Sequence, residues 1–300
     1  MMQNDHKTGL VLEGGAMRGM FTAGVLDVFM EQGLEFGGAV GVSAGATFGC
    51  NIKSRQAGRS IRYNLRFAKD WRYCSLRSLI TTGDLYGAEF CYDTIPFELD
   101  PFDAETYAAN PMPFYVVATD METGKPVYFD SRTGDREDLK WFRGSASMPL
   151  VSRTVEVDGR KLLDGGISDS IPLRFMQNRG FSNNVVVLTQ PEGYVKKDSA
   201  LGRWTARSLK DYPNARRALL NRPHHYNMEL RYVKKCEEEG TALVIRPPEK
   251  LPVSRISHDP EKLKETYEIG RAEAERRLSE VRHYLEGGED NAEGSCKDEG

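Results

Sequence analysis

Hydrophobic residues along the chain fall into short, uninterrupted runs separated by longer stretches in which apolar positions recur with a helical period. The runs are residues 9–12, 36–42, 114–120, 184–190 and 242–245. Runs without polar alternation are typical of strands buried on both faces of a mostly parallel sheet. Between the first two runs, residues 20–32 place Phe21, Val25 and Phe29 on one helix face. The chain therefore begins as a strand, a helix and a second strand.

The order of these elements predicts an α/β fold. Successive strands and helices form units with right-handed crossovers, which place helices on both faces of a central sheet. Two antiparallel hairpins are also predicted: residues 126–130 return along residues 114–120, and Asp158-Gly159 joins two short strands through a type I′ turn. We expect a three-layer α/β/α sandwich with a mostly parallel central sheet.

The end of the second run carries the first candidate chemistry. Residues 41–45 match G-x-S-x-G, in which the serine occupies a sharp turn from strand to helix. Glycines flank this turn because a Cβ there would clash with neighbouring elements. The N-terminus of the following helix favours negative charge on the serine oxygen. Ser43 is a candidate nucleophile, and an ordinary turn serine is the alternative.

A glycine-rich loop follows the first run. Its residues are Gly14, Gly15, Ala16, Met17, Arg18 and Gly19. The loop lacks the spacing of a dinucleotide fingerprint and the Lys-Ser/Thr pair of a P-loop, which disfavours phosphate cradling. It is either a plain connection or an oxyanion hole built from backbone N–H groups, with Arg18 adding positive charge. Because parallel strands end at one edge of a sheet, we expect this loop beside Ser43.

A candidate carboxylate ends the second hairpin. Asp164 closes an apolar strand and precedes Gly165 and Gly166. Two glycines can take positive φ and permit close approach of backbone, which suits a carboxylate held at a site. The alternative is a turn aspartate that caps the residues after it.

Together and in this order, the three stretches resemble the patatin-like phospholipase family, whose pattern is G-G-G-x-R/K-G, then G-x-S-x-G, then D-G-G/A. The resemblance covers about residues 8–190 and implies a Ser43–Asp164 dyad. Ala16 replaces the third loop glycine and keeps its N–H donor, so the change affects pocket shape more than activity. The other residues that the resemblance implies are Gly14, Gly15 and Arg18 in the oxyanion loop, and Gly19, Gly41, Gly45, Gly165 and Gly166 as motif support.

The resemblance implies a serine acyl hydrolase of lipid carboxylic esters, similar to a phospholipase A or a lysophospholipase, that uses no cofactor and no metal. Asp164 would accept the Ser43 proton during attack on the ester, and water would release the acyl-enzyme. One alternative is a Ser-Asp-His esterase using His258, although His258 also fits the start of a helix near Pro260. The other is a membrane-surface or regulatory protein that leaves the pocket unused.

The charge and the cysteines of the chain limit the partners and the cellular compartment that we expect. With 41 basic and 44 acidic residues, the net charge of -3 gives no field that would favour nucleic acid. Five scattered cysteines without a C-x-x-C pair are typical of reduced thiols, which favours the cytoplasm. No apolar run suits a signal peptide or a membrane span. Basic residues between 201 and 239, Arg222 among them, are assigned to a solvated helix face, with transient docking on anionic lipid as the alternative.

No linker or internal repeat divides the chain. We therefore expect a single hydrolase domain over residues 1–285, closed by an amphipathic helix at residues 262–284. Residues 286–300 are rich in glycine and acidic residues, which predicts a disordered tail. The expected partner is the lipid ester substrate, and the sequence does not indicate an oligomeric state.

Overall fold

The computed structural model describes residues 8–287, so the predicted tail lies almost entirely outside the described residues. Within them, eight strands form one sheet in the order β5-β6-β3-β2-β1-β7-β8, with β4 paired to β3. The strands are β1 (Thr8–Leu12), β2 (Gly38–Val42), β3 (Phe114–Asp120), β4 (Pro126–Ser131), β5 (Val155–Val157), β6 (Arg160–Asp164), β7 (Asn183–Val187) and β8 (Ala242–Ile245).

Strands β1, β2, β3, β7 and β8 are parallel, whereas β4, β5 and β6 run antiparallel to their neighbours. The mostly parallel sheet and both predicted hairpins are confirmed. Asp158 and Gly159 have φ of 50° and 72°, as a type I′ turn requires.

The helices surround this sheet. They are α1 (Gly19–Glu31), α2 (Ala44–Lys53), α3 (Arg59–Phe67), α4 (Leu76–Thr82), α5 (Ala104–Ala109), α6 (Arg136–Ser145), α7 (Leu173–Asn178), α8 (Ala200–Arg207), α9 (Pro213–Glu238), α10 (Pro260–Arg276) and α11 (Leu278–Gly287), with a π-helix at Phe90–Leu99 and 3-10 turns at Ala16–Arg18 and Gly165–Ile167. The predicted closing helix is two helices. In the described range, no helix has the length and apolar character that crossing a bilayer requires.

Alternate residues along the strands face two separate hydrophobic cores. Leu10 and Leu12 of β1 belong to a first core with α1, α2, α6 and α10, whereas Val11 belongs to a second core with α7 and α9. Period-two alternation along a strand produces this division. The expected α/β/α sandwich is confirmed, with one helical layer on each core.

The two edges of β3 are used differently. Strand β4 pairs with β3 along one edge from Phe114 to Thr119, so β2 and β6 must share the other edge. Val42 of β2 pairs with Val117, and Asp164 of β6 pairs with Ala118, the next residue. Because β2 is parallel and β6 antiparallel to β3, the carboxyl ends of β2 and β6 meet head-on.

Candidate active site

Ser43 occupies the turn between β2 and α2 in a strained conformation. Its φ of 54° and ψ of -120° lie in a region that non-glycine residues rarely adopt. Its backbone N–H donates to Ser145 Oγ at 2.8 Å. Within residues 8–287 the Ser43 hydroxyl has no hydrogen-bond partner, and the residue is 8% exposed. The turn therefore presents a free hydroxyl at the sheet edge.

Close approach of backbone explains the glycines around this turn. A Cβ on Gly45 would lie 2.4 Å from the Leu12 carbonyl oxygen, and one on Gly41 would lie 2.6 Å from the Ala46 nitrogen. A Cβ on Gly19 would lie 2.8 Å from the Ala44 Cβ. Any side chain at these positions would separate β1, β2 and the two helices that follow them.

The glycine loop packs directly on Ser43. A Cβ on Gly14 would lie 3.0 Å from the Ser43 Cβ. The backbone N–H groups of Gly14, Gly15 and Ala16 have no acceptor among residues 8–287. Ala16 has a φ of 48°, a conformation in which glycine is more comfortable. The loop can donate to an oxyanion, and the replacement of glycine by alanine leaves strain in its backbone.

Asp164 is 5% exposed and has one carboxylate oxygen already bonded. Oδ1 accepts a hydrogen bond from the Gly166 N–H at 2.8 Å, whereas Oδ2 has no donor among the described residues. One carboxylate oxygen of Asp164 therefore caps the following turn, while the other remains available at the site. Neither Gly165 nor Gly166 uses the positive φ that glycine permits. Glycine is needed because a Cβ on Gly165 would lie 2.1 Å from the Val117 carbonyl oxygen.

The end of α6 ties the two candidate catalytic residues together. Ser145 Oγ accepts from the Ser43 N–H and donates to the Val117 carbonyl at 2.6 Å. Two residues later, the Ser147 carbonyl accepts from the Asp164 N–H at 2.7 Å. The sequence marked this segment only as small residues, because its bonds join parts of the chain that are far apart.

An apolar cavity of about 140 Å³ opens beside Ser43 on the first-core face. Ala16, Ser43 and Ser147 stand at its catalytic end. The aromatic and aliphatic part of its lining is Met17, Phe48, Tyr63, Tyr73, Tyr86, Ala88, Tyr92, Ile95, Phe102, Leu139 and Phe142. Such a lining suits a hydrocarbon chain held with its carbonyl at Ser43.

Arg222 lies at the site, on the second-core face, rather than on a solvated helix surface. Its Nη2 atom and Asp164 Oδ1 lie 3.0 and 3.1 Å from the point where a Gly166 Cβ would be. Its Nε is buried without a hydrogen-bond partner. Burial lowers the pKa of Arg222, and the Asp164 carboxylate opposes this shift. The sequence missed this placement because it depends on how α9 packs against the turn at Gly165–Ile167.

No histidine of residues 8–287 bonds to Ser43 or Asp164. His224, His225, His258 and His283 are exposed, and none of them bonds to Ser43. Asp259, next to His258, caps α10 by accepting from the Glu261 N–H. The described residues also contain no group of three or more His, Cys, Asp or Glu side chains suited to a metal ion. The arrangement therefore favours the dyad over the esterase with His258.

Comparison with known families agrees with this geometry. The model of the patatin-like phospholipase family matches residues 10–176, which is more than half of the chain. The chain belongs to the patatin-like phospholipase family. A second model, a domain of unknown function (DUF6363), matches residues 212–286 and so includes α9 and α10.

Similar proteins come from bacteria and fungi. The uncharacterized protein YjjU of Escherichia coli is 28% identical over 281 residues, which cover 88% of this chain and 75% of that protein. An uncharacterized NTE family protein of Mycobacterium tuberculosis is 32% identical over 56% of this chain and 44% of its own length. Lysophospholipase nte1 of Aspergillus oryzae is 28% identical over 66% of this chain but 13% of that protein. The crystal structure of VipD from Legionella pneumophila aligns over 91% of this chain and 67% of that chain, with a TM-score of 0.45 and 13% identity.

Proposed function

We propose that this chain is a serine acyl hydrolase of lipid carboxylic esters, of the phospholipase A or lysophospholipase type. Family membership supports a lipid hydrolase. The observation that carries the finer proposal is the head-on meeting of β2 and β6, which brings the ends that bear Ser43 and Asp164 to adjacent positions along β3. One residue supplies a free hydroxyl and the other a carboxylate oxygen without a donor.

The reaction follows from these groups. Asp164 Oδ2 accepts the proton of the Ser43 hydroxyl as Oγ attacks the ester carbonyl. The N–H groups of Gly14, Gly15 and Ala16 stabilise the negative oxygen of the tetrahedral intermediate. The proton then passes to the departing alcohol, which leaves an acyl-enzyme. Water, deprotonated by Asp164, adds to the acyl carbonyl; as the bond to Ser43 Oγ breaks, Asp164 returns the proton to Oγ and the acid departs.

The experiment compares Ser43→Ala, Asp164→Asn and His258→Ala on one soluble p-nitrophenyl ester. The first two changes should lower kcat by about ten-thousandfold or more, because they remove the nucleophile and the proton acceptor. His258→Ala should stay within about threefold of wild type, since the imidazole is exposed and unbonded. Circular dichroism checks folding, and Ser199→Ala is the matched serine control.

A fluorophosphonate probe gives a second reading, because it labels an activated serine covalently. Peptide mapping should find the label on Ser43. Label on another serine, or a folded His258→Ala protein without activity, would refute the dyad.

We also propose that the apolar surface around the cavity mouth contacts the lipid surface in which the substrate lies. Leu76 and Ile80 are 72% and 84% exposed, one turn apart on α4. This helix leads directly into Asp84 and Tyr86, which line the cavity. Exposed apolar side chains grouped beside a pocket are typical of an interaction surface.

Sedimentation with phosphatidylcholine vesicles tests this contact, because such vesicles carry no net charge. A Leu76→Ser, Ile80→Ser protein should bind at least about tenfold more weakly than wild type, since two apolar side chains no longer leave water. Leu201→Ser removes an equally exposed leucine from α8, a helix that contributes nothing to the cavity lining. Equal binding by all three proteins would exclude α4 as the contact.

A further inference from the structure

Four basic side chains lie around the site and outside the cavity lining. Arg18 lies in the glycine loop, Lys196 in the loop after β7, Arg222 on α9 and Arg255 in the loop before α10. Each of Arg18, Lys196 and Arg222 is close enough to Arg255 for the charges to repel. Four segments that are distant in sequence therefore place positively charged side chains close to one another at the site.

Two of these elements are held in position by specific bonds. Lys196 exchanges two backbone hydrogen bonds with the Asn227 side chain, at 2.8 and 2.9 Å, which fixes its loop to α9. Its Nζ lies 3.9 Å from the centre of the Tyr226 ring. The Arg255 carbonyl accepts from the Tyr86 hydroxyl at 3.2 Å, so this loop borders the mouth of the cavity.

Among the described residues, Glu13, Asp164 and Glu229 lie close enough to offset part of this charge, but none of them forms an ion pair with the four cations. None of the four cations forms an ion pair within 4.0 Å in the described part of the chain. Glu13 lies nearby, but its oxygens are occupied by the Thr189 N–H at 2.5 Å and the Tyr226 hydroxyl at 2.6 Å. The Nε atoms of Arg18 and Arg222 are buried without a hydrogen-bond partner. Buried unpaired donors of this kind are expensive unless a ligand satisfies them.

The pKa directions agree with this picture. Burial, together with the charges of Arg222 and Arg255, lowers the pKa of Lys196 to about 7. Burial also lowers the pKa of Arg18 and of Arg222, with Arg255 adding repulsion in both cases. An anion among them would remove the repulsion and restore full charge on Lys196.

The cavity lies on the first-core face of the sheet, Ser43 is part of its lining, and none of the four cations is. Lys196 and Arg222 lie on the second-core side, by Tyr226 and Asp164, while Arg18 and Arg255 extend from the glycine loop and from the loop at the cavity mouth. An ester whose acyl chain fills the cavity and whose carbonyl meets Ser43 directs its alcohol portion toward the cations. We propose that Arg18, Lys196, Arg222 and Arg255 form a subsite for the phosphate group of that alcohol portion. The inference rests on the proposed hydrolase function and names the substrate class: acyl esters that carry a phosphate.

Hydrolysis of two esters with the same acyl chain tests this subsite. They are 1-acylglycerol 3-phosphate and 1-acylglycerol, and the readout is the ratio of their kcat/KM values. Wild type should prefer the phosphate ester by at least about tenfold, and Lys196→Met or Arg255→Gln should each reduce the ratio by about tenfold, which corresponds to about 1.4 kcal/mol. Lys197→Met, which removes an exposed neighbouring cation, should keep the wild-type ratio.

Binding gives a readout that is independent of turnover. Ser43→Ala protein should bind 1-acylglycerol 3-phosphate about tenfold more tightly than 1-acylglycerol, and adding Lys196→Met should abolish the difference. Inorganic phosphate should compete with the phosphate ester only in the protein that retains Lys196. Circular dichroism establishes that each variant is folded.

The outcomes separate the two proposals. Hydrolysis that survives Ser43→Ala would refute the proposed function, while the binding measurement would still test the subsite. Hydrolysis that depends on Ser43 but shows no preference for the phosphate ester would overturn the subsite alone. Inhibition by inorganic phosphate without such a preference would indicate a separate anion site and would also overturn the assignment to the substrate.

Discussion

On the cavity side of Ser43 the wall is aromatic and its charges are paired, whereas the four cations outside the cavity lining form no ion pair with any described residue. In the cavity lining, Arg59 bonds to Asp100 at 3.4 Å and Arg143 to Asp84 at 3.4 Å. Phe48, Tyr63 and the rings beyond them pack on one another at centroid distances of 6.3 and 6.4 Å. Among the described residues that line the cavity, no fully buried side-chain nitrogen or oxygen lacks a hydrogen-bond partner.

This difference indicates what each side binds. A hydrocarbon chain needs contact area and no polar partner, so a satisfied wall is suitable for it. Buried guanidinium groups without hydrogen-bond acceptors destabilise the fold unless a ligand supplies the acceptors. The unsatisfied side is thus the side that is built for a charged group.

Two of the four cations come from a different part of the chain than the cavity lining. The cavity lining falls within the segment that matches the patatin-like family model, whereas Arg222 and Arg255 belong to the segment that matches the second model. The second segment packs α9 against the turn that follows Asp164 and so completes the site. This segment therefore supplies two of the four cations of the proposed phosphate subsite.

Filling the cavity should weaken the reaction of long acyl chains and leave the preference for a phosphate group unchanged. Ala88 lines the cavity and is half-buried, so a larger side chain can enter without disrupting the core. Ala88→Trp should lower kcat/KM for long-chain esters by about tenfold, because the ring takes space that the distal methylenes need. Short-chain p-nitrophenyl esters should react nearly as before, so the measurement is the chain-length series.

Ala88→Ser is the matched control, since it changes polarity at the same position without filling the cavity. In Ala88→Trp the ratio of phosphate to neutral ester should stay at the wild-type value, and in Lys196→Met the chain-length series should stay unchanged. If either substitution altered both properties, the two sides could not be regarded as separate binding regions.

Much of this architecture could be predicted because the signals are local. Strand β1, the turn at Ser43 and the Asp158-Gly159 hairpin each follow from a few neighbouring residues whose sterics or burial leave few alternatives. The family resemblance added the pairing of Ser43 with Asp164, which local pattern alone left open. The head-on meeting of β2 and β6 supports that pairing.

The missed features depend on contacts between distant segments. The sequence assigns Arg222 to a solvated helix face, whereas in the structure α9 packs so that Arg222 lies beside Asp164. Ser145 is an unremarkable small residue until its hydroxyl bridges Ser43 and Val117. The sequence left open whether Gly165 and Gly166 serve positive φ or close approach, and the structure shows close approach at Gly165. The secondary-structure propensities of the individual residues do not encode any of these contacts.

The smallest expected effect concerns a pair of carboxyl groups on the second-core side. Glu229 lies on α9, and Asp169 follows the Gly165–Ile167 turn. The Tyr128 hydroxyl donates to Asp169 at 2.6 Å, and the Ser170 N–H lies 3.2 Å from both oxygens of Glu229. Burial raises the pKa of both carboxyls, and the charge of Asp169 raises that of Glu229 further. The pair therefore holds a proton that neither group would keep in water.

The sign of the effect on stability follows from proton linkage. Above the ordinary Glu pKa of 4.5, the unfolded chain has lost this proton while the native pair retains it. The free energy of unfolding then falls as pH rises, until the native pair also ionises. Lys196 acts in the opposite direction above about pH 7, because its pKa is lowered in the folded protein.

Comparing wild type with Glu229→Gln isolates the pair, since Lys196 contributes to both proteins. The amide keeps the acceptor for the Ser170 N–H and cannot ionise, so the variant should lose less stability than wild type between about pH 5 and about pH 8, by on the order of 1 kcal/mol. Urea unfolding at both pH values measures the difference, and Glu238→Gln, an exposed position on the same helix, should behave as wild type. If wild type and Glu229→Gln lost stability equally, the pair would not hold the extra proton, and the second-core side would carry additional negative charge opposite Arg222.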